Sequence, residues 1–194
     1  MKEMLILGAG TGGSLMANLL SRALPSGWRV TVVDRDDRHL YQPGLLFVPF
    51  GAPTHELIRS RRSLLDPEVR FVTAEIDRID PTQKTVALQG GERLRYDVLI
   101  IATGTVVRPE QTQGLTGQGW QETASDFYTV EGAEAAARIL ERLDRGRLVV
   151  NIVEMPIKCP VAPLEFAFLA DAYLTERGVR DRIEIVYATP LDGA

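Results

Sequence analysis

The stretch Leu5-Ile6-Leu7-Gly8-Ala9-Gly10-Thr11-Gly12-Gly13 constrains the fold most, because an apolar run breaks there directly into closely spaced glycines. Met4 to Leu7 suits a strand buried on both faces. Gly8, Gly10 and Gly13 fit G-x-G-x-x-G, in which one glycine makes a tight turn, one admits a pyrophosphate close to backbone, and one lets helix pack on strand. A helix is expected from Thr11 to Leu24, with Leu15, Met16, Leu19, Leu20, Ala23 and Leu24 at helical spacing and Pro25 and Gly27 ending it. Its free N–H groups and positive dipole end would face the turn. Val30-Thr31-Val32-Val33 is a second strand ending on Asp34, which completes a βαβ unit. Asp34 lies where an acidic side chain accepts hydrogen bonds from a ribose, or it merely ends a strand. Alone, the glycine turn serves NAD, FAD or neither.

Composition narrows the partners. With 194 residues, 45% hydrophobic and 25% charged, the chain reads as a soluble globular sequence large enough for one sizeable core or two small ones. A net charge of -4 gives no electrostatic reason to expect nucleic acid. The single cysteine, Cys159, excludes an internal disulfide framework and is compatible with a reducing compartment. The first strand begins so early that no signal peptide is expected, and no apolar run of about 18 residues could span a bilayer. A soluble chain on the cytoplasmic side is therefore the expectation. His39 and His55 are the only histidines and have no ligand-spaced partner, so no metal site is expected.

Between Leu40 and Gly51, proline and glycine interrupt an apolar segment and argue against a long helix. It reads either as a buried loop or as the apolar wall of a cofactor or quinone pocket. A short helix is expected from Thr54, with Arg59, Arg61 and Arg62 on a solvated face. Three strands, Val69–Ile76, Lys84–Leu88 and Arg93–Tyr96, separated by Asp80-Pro81-Thr82 and Gln89-Gly90-Gly91-Glu92, suggest a β-meander crossing back into the parallel sheet. Tyr96 to Ile101 then reads as a buried strand ending in Ala102-Thr103-Gly104.

The glycine turn, the strand ending in Asp34, the meander and the Ala102-Thr103-Gly104 strand together resemble the first FAD-binding half of the two-dinucleotide-binding-domain flavoproteins. The resemblance implies an α/β fold: a Rossmann-like FAD-binding βαβ half with a meander crossover, followed by part of a second, NAD-domain-like βαβ unit. The expected limits are 1–112 for the first part, 113–130 for a linker and 131–194 for the second. The implied FAD-binding residues are Gly8, Gly10, Thr11, Gly12 and Gly13 at the turn, Asp34 and Arg35 after the second strand, and Gln42 in the segment beside the flavin. Glu75 and Ile76 would lie near the adenine and Ala102, Thr103 and Gly104 near the pyrophosphate.

The second unit reads as a helix over Glu131–Arg145, a strand at Leu148–Val153, a helix at Leu164–Leu174 and a strand at Ile183–Tyr187. Its connecting loop departs from a dinucleotide turn. Counting back from Glu165, the three glycine positions fall on Lys158, Pro160 and Pro163, which supply neither the positive-φ turn nor the row of donor N–H groups. No NAD(P)H binding is therefore expected there. Cys159 is either a small buried hydrophobe or a thiolate favoured by Lys158 and the following helix.

Pro156-Ile157-Lys158-Cys159-Pro160-Val161-Ala162-Pro163 and Tyr41-Gln42-Pro43-Gly44 resemble the corresponding segments of the sulfide:quinone oxidoreductases. The resemblance implies FAD as cofactor, sulfide and quinone as substrates, Cys159 as one redox-active cysteine, Lys158 as an electrostatic helper and Glu165 as a proton-handling carboxylate. Glu165 equally reads as an ordinary acid at a helix N-terminus. Where some members carry a further cysteine this chain has Asp126-Phe127-Tyr128-Thr129, so no covalent flavin link is expected there. The resemblance also implies that the chain is an N-terminal portion or truncated relative. The second redox cysteine and a peripheral membrane anchor would belong to a C-terminal half, and a homo-oligomer is compatible with it. Two other readings stay open: the flavin subunit of a sulfide dehydrogenase, or a non-catalytic FAD-binding or assembly module.

Overall fold

A computed structural model of the protein describes residues 1–192 and has an α/β architecture. Strand β1 (Lys2–Leu7) leads into helix α1 (Thr11–Ala23) and returns through β2 (Trp28–Asp34). Two short antiparallel strands follow, β3 (Arg38–Leu40) and β4 (Ile58–Ser60), then β5 (Arg70–Thr73). A three-stranded antiparallel meander, β6 (Ile76–Asp80), β7 (Thr85–Leu88) and β8 (Arg93–Arg95), precedes β9 (Val98–Ile101). The parallel sheet has the order β5-β2-β1-β9. Alternation along β1 divides its side chains between two layers. Met4 and Ile6 join Ala17 of α1, Val30 and Val32, whereas Leu5 and Leu7 join Val33 and the meander residues Val86 and Leu88. Both faces of β1 are thus covered, which is why its sequence is apolar without interruption.

Several local expectations are corrected. The buried residues of α1 are Gly13, Ser14 and Ala17, while Leu15 and Leu19 are exposed. At the start of the helix small side chains face the sheet because helix and strand approach closely there, and of the large residues Leu20 and Leu24 pack against the same core. Thr54–Leu57 is a single 3₁₀ turn, and Arg59 lies on β4 instead of a helix. Arg61 is not on a solvated face: its side chain retains only 11% exposure against Asp34. Val69–Ile76 is not one meander strand, since β5 pairs parallel with β2 and the meander begins at Ile76. Ala74 marks the divide, where its N–H donates to the Asp34 carbonyl at the end of β2.

The chain divides into two units, one comprising Met1–Tyr41 with Ile58–Gly104, the other Gln42–Leu57 with the residues from Thr105 onward. The second unit contains α2 (Val130–Arg142), β10 (Gly146–Asn151), α3 (Ala162–Glu176) and β11 (Ile183–Ala188), with β10 and β11 paired in parallel. The Gln42–Phe50 segment, assigned to the first domain from sequence, is a 3₁₀ helix that belongs to this unit. Gly44, Leu45, Val48 and Pro49 are buried, and Phe50 lies against Phe166 and Tyr173 of α3 at centroid distances of 5.2 and 5.8 Å. The expected second-domain limit at Ala194 lies outside the described residues. Among the described residues no helix is long and apolar enough to cross a membrane.

Candidate functional site

The glycine turn is built by backbone approach. Gly8 has φ +95°, and a Cβ there would lie 2.3 Å from the Ala102 carbonyl oxygen. A Cβ on Gly13 would lie 1.8 Å from the Gly8 carbonyl oxygen. Neither position admits another residue without moving backbone. Gly10 and Gly12 differ: an added Cβ meets nothing within 4 Å, so the space over them is open. Gly10 caps α1 without a side-chain hydrogen bond, and no acidic residue occupies the first turn. The early N–H groups of α1 thus face an open cradle with their positive end uncompensated, an arrangement suited to an anion such as a pyrophosphate. The glycine turn therefore fits a pyrophosphate sterically and electrostatically.

Residues with no motif signature hold this turn. Ala9 donates its N–H to Asp34 Oδ2 at 2.7 Å, while its carbonyl accepts from Ser14 Oγ at 3.1 Å and lies 3.4 Å from Nδ1 of the buried His39. Asp34 Oδ1 accepts the Arg35 N–H at 2.7 Å, and the Arg61 guanidinium forms an ion pair with Oδ2. Arg61 Nε in turn donates to the Arg38 carbonyl at 3.0 Å. Burial alone would raise the Asp34 pKa; Arg61 and the Ala9 and Arg35 N–H groups outweigh it, holding the carboxyl below its ordinary value. The carboxylate expected to receive a ribose therefore also buttresses the turn. Arg61 could have been suspected only from a β3–β4 hairpin, which three-residue strands do not announce.

The other expected ligands of the first unit have distinct settings. Thr11, Gly12, Arg35, Glu75, Thr103 and Gly104 are exposed, and Ile76 and Ala102 half-buried. Ala102 donates its N–H to Leu7, extending the β1–β9 ladder to the turn, and Gly104 takes φ +75°. Glu75 accepts the Gln89 N–H through its carbonyl, tying that corner to the meander.

Within the second unit, Cys159 is exposed and adopts φ +52° three residues before α3. The reading of this cysteine as a small buried hydrophobe is thereby corrected. The neighbouring Lys158 amine donates to Gln42 Oε1, bringing together two residues far apart in sequence. Tyr128 Oη donates to the Cys159 carbonyl at 3.4 Å. Burial, followed by repulsion from charge on Cys159 and Tyr187, pushes the Tyr128 phenol up to about 12. It is consequently a neutral donor near neutral pH. Asp126 organises the same corner by accepting the Tyr128 and Thr129 N–H groups at 2.8 and 2.7 Å, while Thr129 Oγ1 caps α2 through the Gly132 N–H. Glu165 is exposed in the first turn of α3, where its charge complements the helix dipole. Pro163 occupies that turn as well, and Val161 caps it without a side-chain bond.

The pyridine nucleotide-disulphide oxidoreductase family model matches residues 2–153. The mitochondrial sulfide:quinone oxidoreductase of Mus musculus is 29% identical over 191 residues, covering 97% of this chain and 42% of that protein. The solved sulfide:quinone oxidoreductase of the hyperthermophilic bacterium Aquifex aeolicus superposes on 100% of this chain and 44% of its own, with TM-score 0.78 and 22% identity. An NAD-dependent persulfide reductase from A. fulgidus gives TM-score 0.66 at 20% identity, over 96% of this chain and 40% of its own. The chain thus spans less than half the length of these relatives. With a glycine turn set in a parallel sheet and a family match over most of its residues, the chain belongs to the pyridine nucleotide-disulphide oxidoreductase family and is sulfide:quinone oxidoreductase-like.

Proposed function

We propose that this chain supplies the FAD-binding turn and one redox cysteine of a flavoprotein that oxidises sulfide and passes the electrons to a quinone. The observation that carries the reading is a contrast between two loops of the same chain. The turn at Gly8–Gly13 leaves an open, donor-lined cradle, whereas the loop before α3 places prolines and an exposed, positive-φ Cys159 at the corresponding position. The similarity to sulfide:quinone oxidoreductases over 97% of the chain supports the same choice.

When bound, FAD supplies a two-electron acceptor. The chain's own residues would do the rest. Gly10 and Gly12 admit the pyrophosphate to the first N–H groups of α1, while Asp34, held by Ala9 and Arg61, fixes the turn. In a disulfide between Cys159 and a second thiol, attack by hydrosulfide breaks one S–S bond and forms another, leaving a persulfide and releasing a thiolate that carries the electron pair. Cys159 is the only cysteine in these 194 residues, so the second sulfur must come from another polypeptide segment or a small thiol. Lys158 would stabilise developing negative charge, Tyr128 would hold the Cys159 backbone, and Glu165 is the candidate proton carrier. The loop that carries Cys159 should not bind NAD(P)H.

Reconstitution with FAD followed by anaerobic sulfide tests the reading. Bound flavin should give a yellow protein whose visible band bleaches on adding sulfide once Cys159 has been converted to a mixed disulfide with a small thiol, and Cys159→Ser should abolish the bleaching. Unimpaired bleaching in that variant would remove Cys159 from the reaction. A colourless protein that takes up no FAD would instead favour a non-catalytic assembly module.

A further inference from the structure

The outer face of the meander carries charges that neither loop uses. Strand register aligns Arg78, Ala87 and Arg93 in one row and Asp80, Thr85 and Arg95 in the next. Ile79, Val86 and Leu94 alternate with them and pack in the core, so the three arginines share the solvent face. With strands about 4.8 Å apart, Arg78 and Arg93 leave the backbone about 10 Å from each other across the small Ala87.

Among the described residues, none of these three guanidinium groups takes part in an ion pair. Asp80, the acid in these rows, accepts the Gln83 N–H at 2.9 Å within its own turn. Like charges clustered on neighbouring strands repel, and an anion would relieve that repulsion. The net charge of -4 makes an uncompensated basic cluster locally specific. The face is also concave. A cleft of about 140 Å³ is lined by Arg78, Asp80, Thr85, Ala87 and Arg93, and Arg93 also borders a larger cleft of about 700 Å³ at the edge of the meander, where Arg95 and Lys84 are joined by the acids Glu3, Glu92 and Asp97. The smaller is the size of one anionic group, and the larger falls in the range of small-molecule sites.

We propose that this face binds a small organic phosphate, with its phosphate held by Arg78, Arg93 and Arg95 and the remainder in the larger cleft. Guanidinium groups suit this role because each offers a planar fork of donors to phosphate oxygens. The concavity favours a discrete small molecule over a flat anionic lipid surface, and the site is independent of the flavin reading.

Calorimetric titration of the 194-residue chain with sodium tripolyphosphate tests the assignment. Saturable binding is expected, weakened about tenfold or more in the Arg78→Gln, Arg93→Gln, Arg95→Gln triple variant. All titrations are made in the Gly12→Asp background, in which the glycine turn is obstructed, so that the binding that remains is read at the meander face alone. Circular dichroism checks the fold of the triple variant; if that variant misfolds, single Arg93→Gln should still weaken binding severalfold. Absence of saturable binding or unchanged affinity in a folded arginine variant would overturn the proposal. Capture by phosphatidylserine vesicles without tripolyphosphate affinity would overturn it in favour of a membrane surface.

Discussion

A methyl group at Gly13 would occupy the space of the Gly8 carbonyl, whereas one at Gly12 would meet nothing. Gly13→Ala should therefore lower stability by several kcal/mol, about the scale of severe core disruption, while Gly12→Ala should change the denaturant midpoint little. Pyrophosphate affinity, measured alongside, should fall for both, because Gly12 guards the open approach. Asp34 makes a second prediction. Its folded pKa lies below the unfolded value, so its contribution is complete above the ordinary carboxylate range and is lost as pH falls through the folded pKa. Urea midpoints should show a smaller loss on acidification for Asp34→Asn than for the natural chain. Tyr128 supplies a third: the tyrosinate absorbance removed by Tyr128→Phe should titrate near 12. At this scale, Gly8, Gly10, Gly13 and Asp34 were legible because their spacing carries the motif. Ser14, His39, Arg61 and Tyr128 were not, because each acts through a tertiary contact with no local pattern.

At the scale of elements, strands buried on both faces were the clearest to read. β1 and β9 announce themselves as apolar runs, whereas β3 and β4 have three residues each and too little length for periodicity. The limits of the meander were misplaced because Arg70–Thr73 and Ile76–Asp80 follow one another without a glycine or proline between them. Helix α1 was legible in part: Leu20 and Leu24 of its predicted stripe pack on the core, whereas Leu15 and Leu19 are exposed and close packing near the turn selected Gly13 and Ala17. In the second unit, Phe166 is the common partner of Phe50 and Phe127, at 5.2 and 4.8 Å. Phe166→Ala should cost about 3–5 kcal/mol through the cavity it leaves, as read from denaturant unfolding. Thr129→Ala should cost about 1 kcal/mol by removing the α2 cap.

For the whole molecule, segment order matters more than length. Gln42–Leu57 interrupts the first unit in sequence but packs with the second. A polypeptide of residues 105–194 would lack Phe50 and Leu46, partners of the α3 aromatic cluster. Such a piece should be less soluble than the full chain and bind more of a hydrophobic dye, and adding back Gln42–Leu57 through a flexible linker should reverse both effects. Sequence indicated two βαβ units correctly but placed this segment with its neighbours in the chain, because its proline and glycine breaks reveal a buried loop without naming its partner.

That exchange also has a consequence during synthesis on the ribosome. Phe50 emerges about 120 residues before Phe166 can follow, a delay of roughly 6–24 s at about 5–20 residues per second. Over that interval the apolar segment lacks the α3 aromatics against which it packs. Chaperone capture of translation intermediates should therefore peak after Gly51 has been exposed and decline once α3 has cleared the exit tunnel.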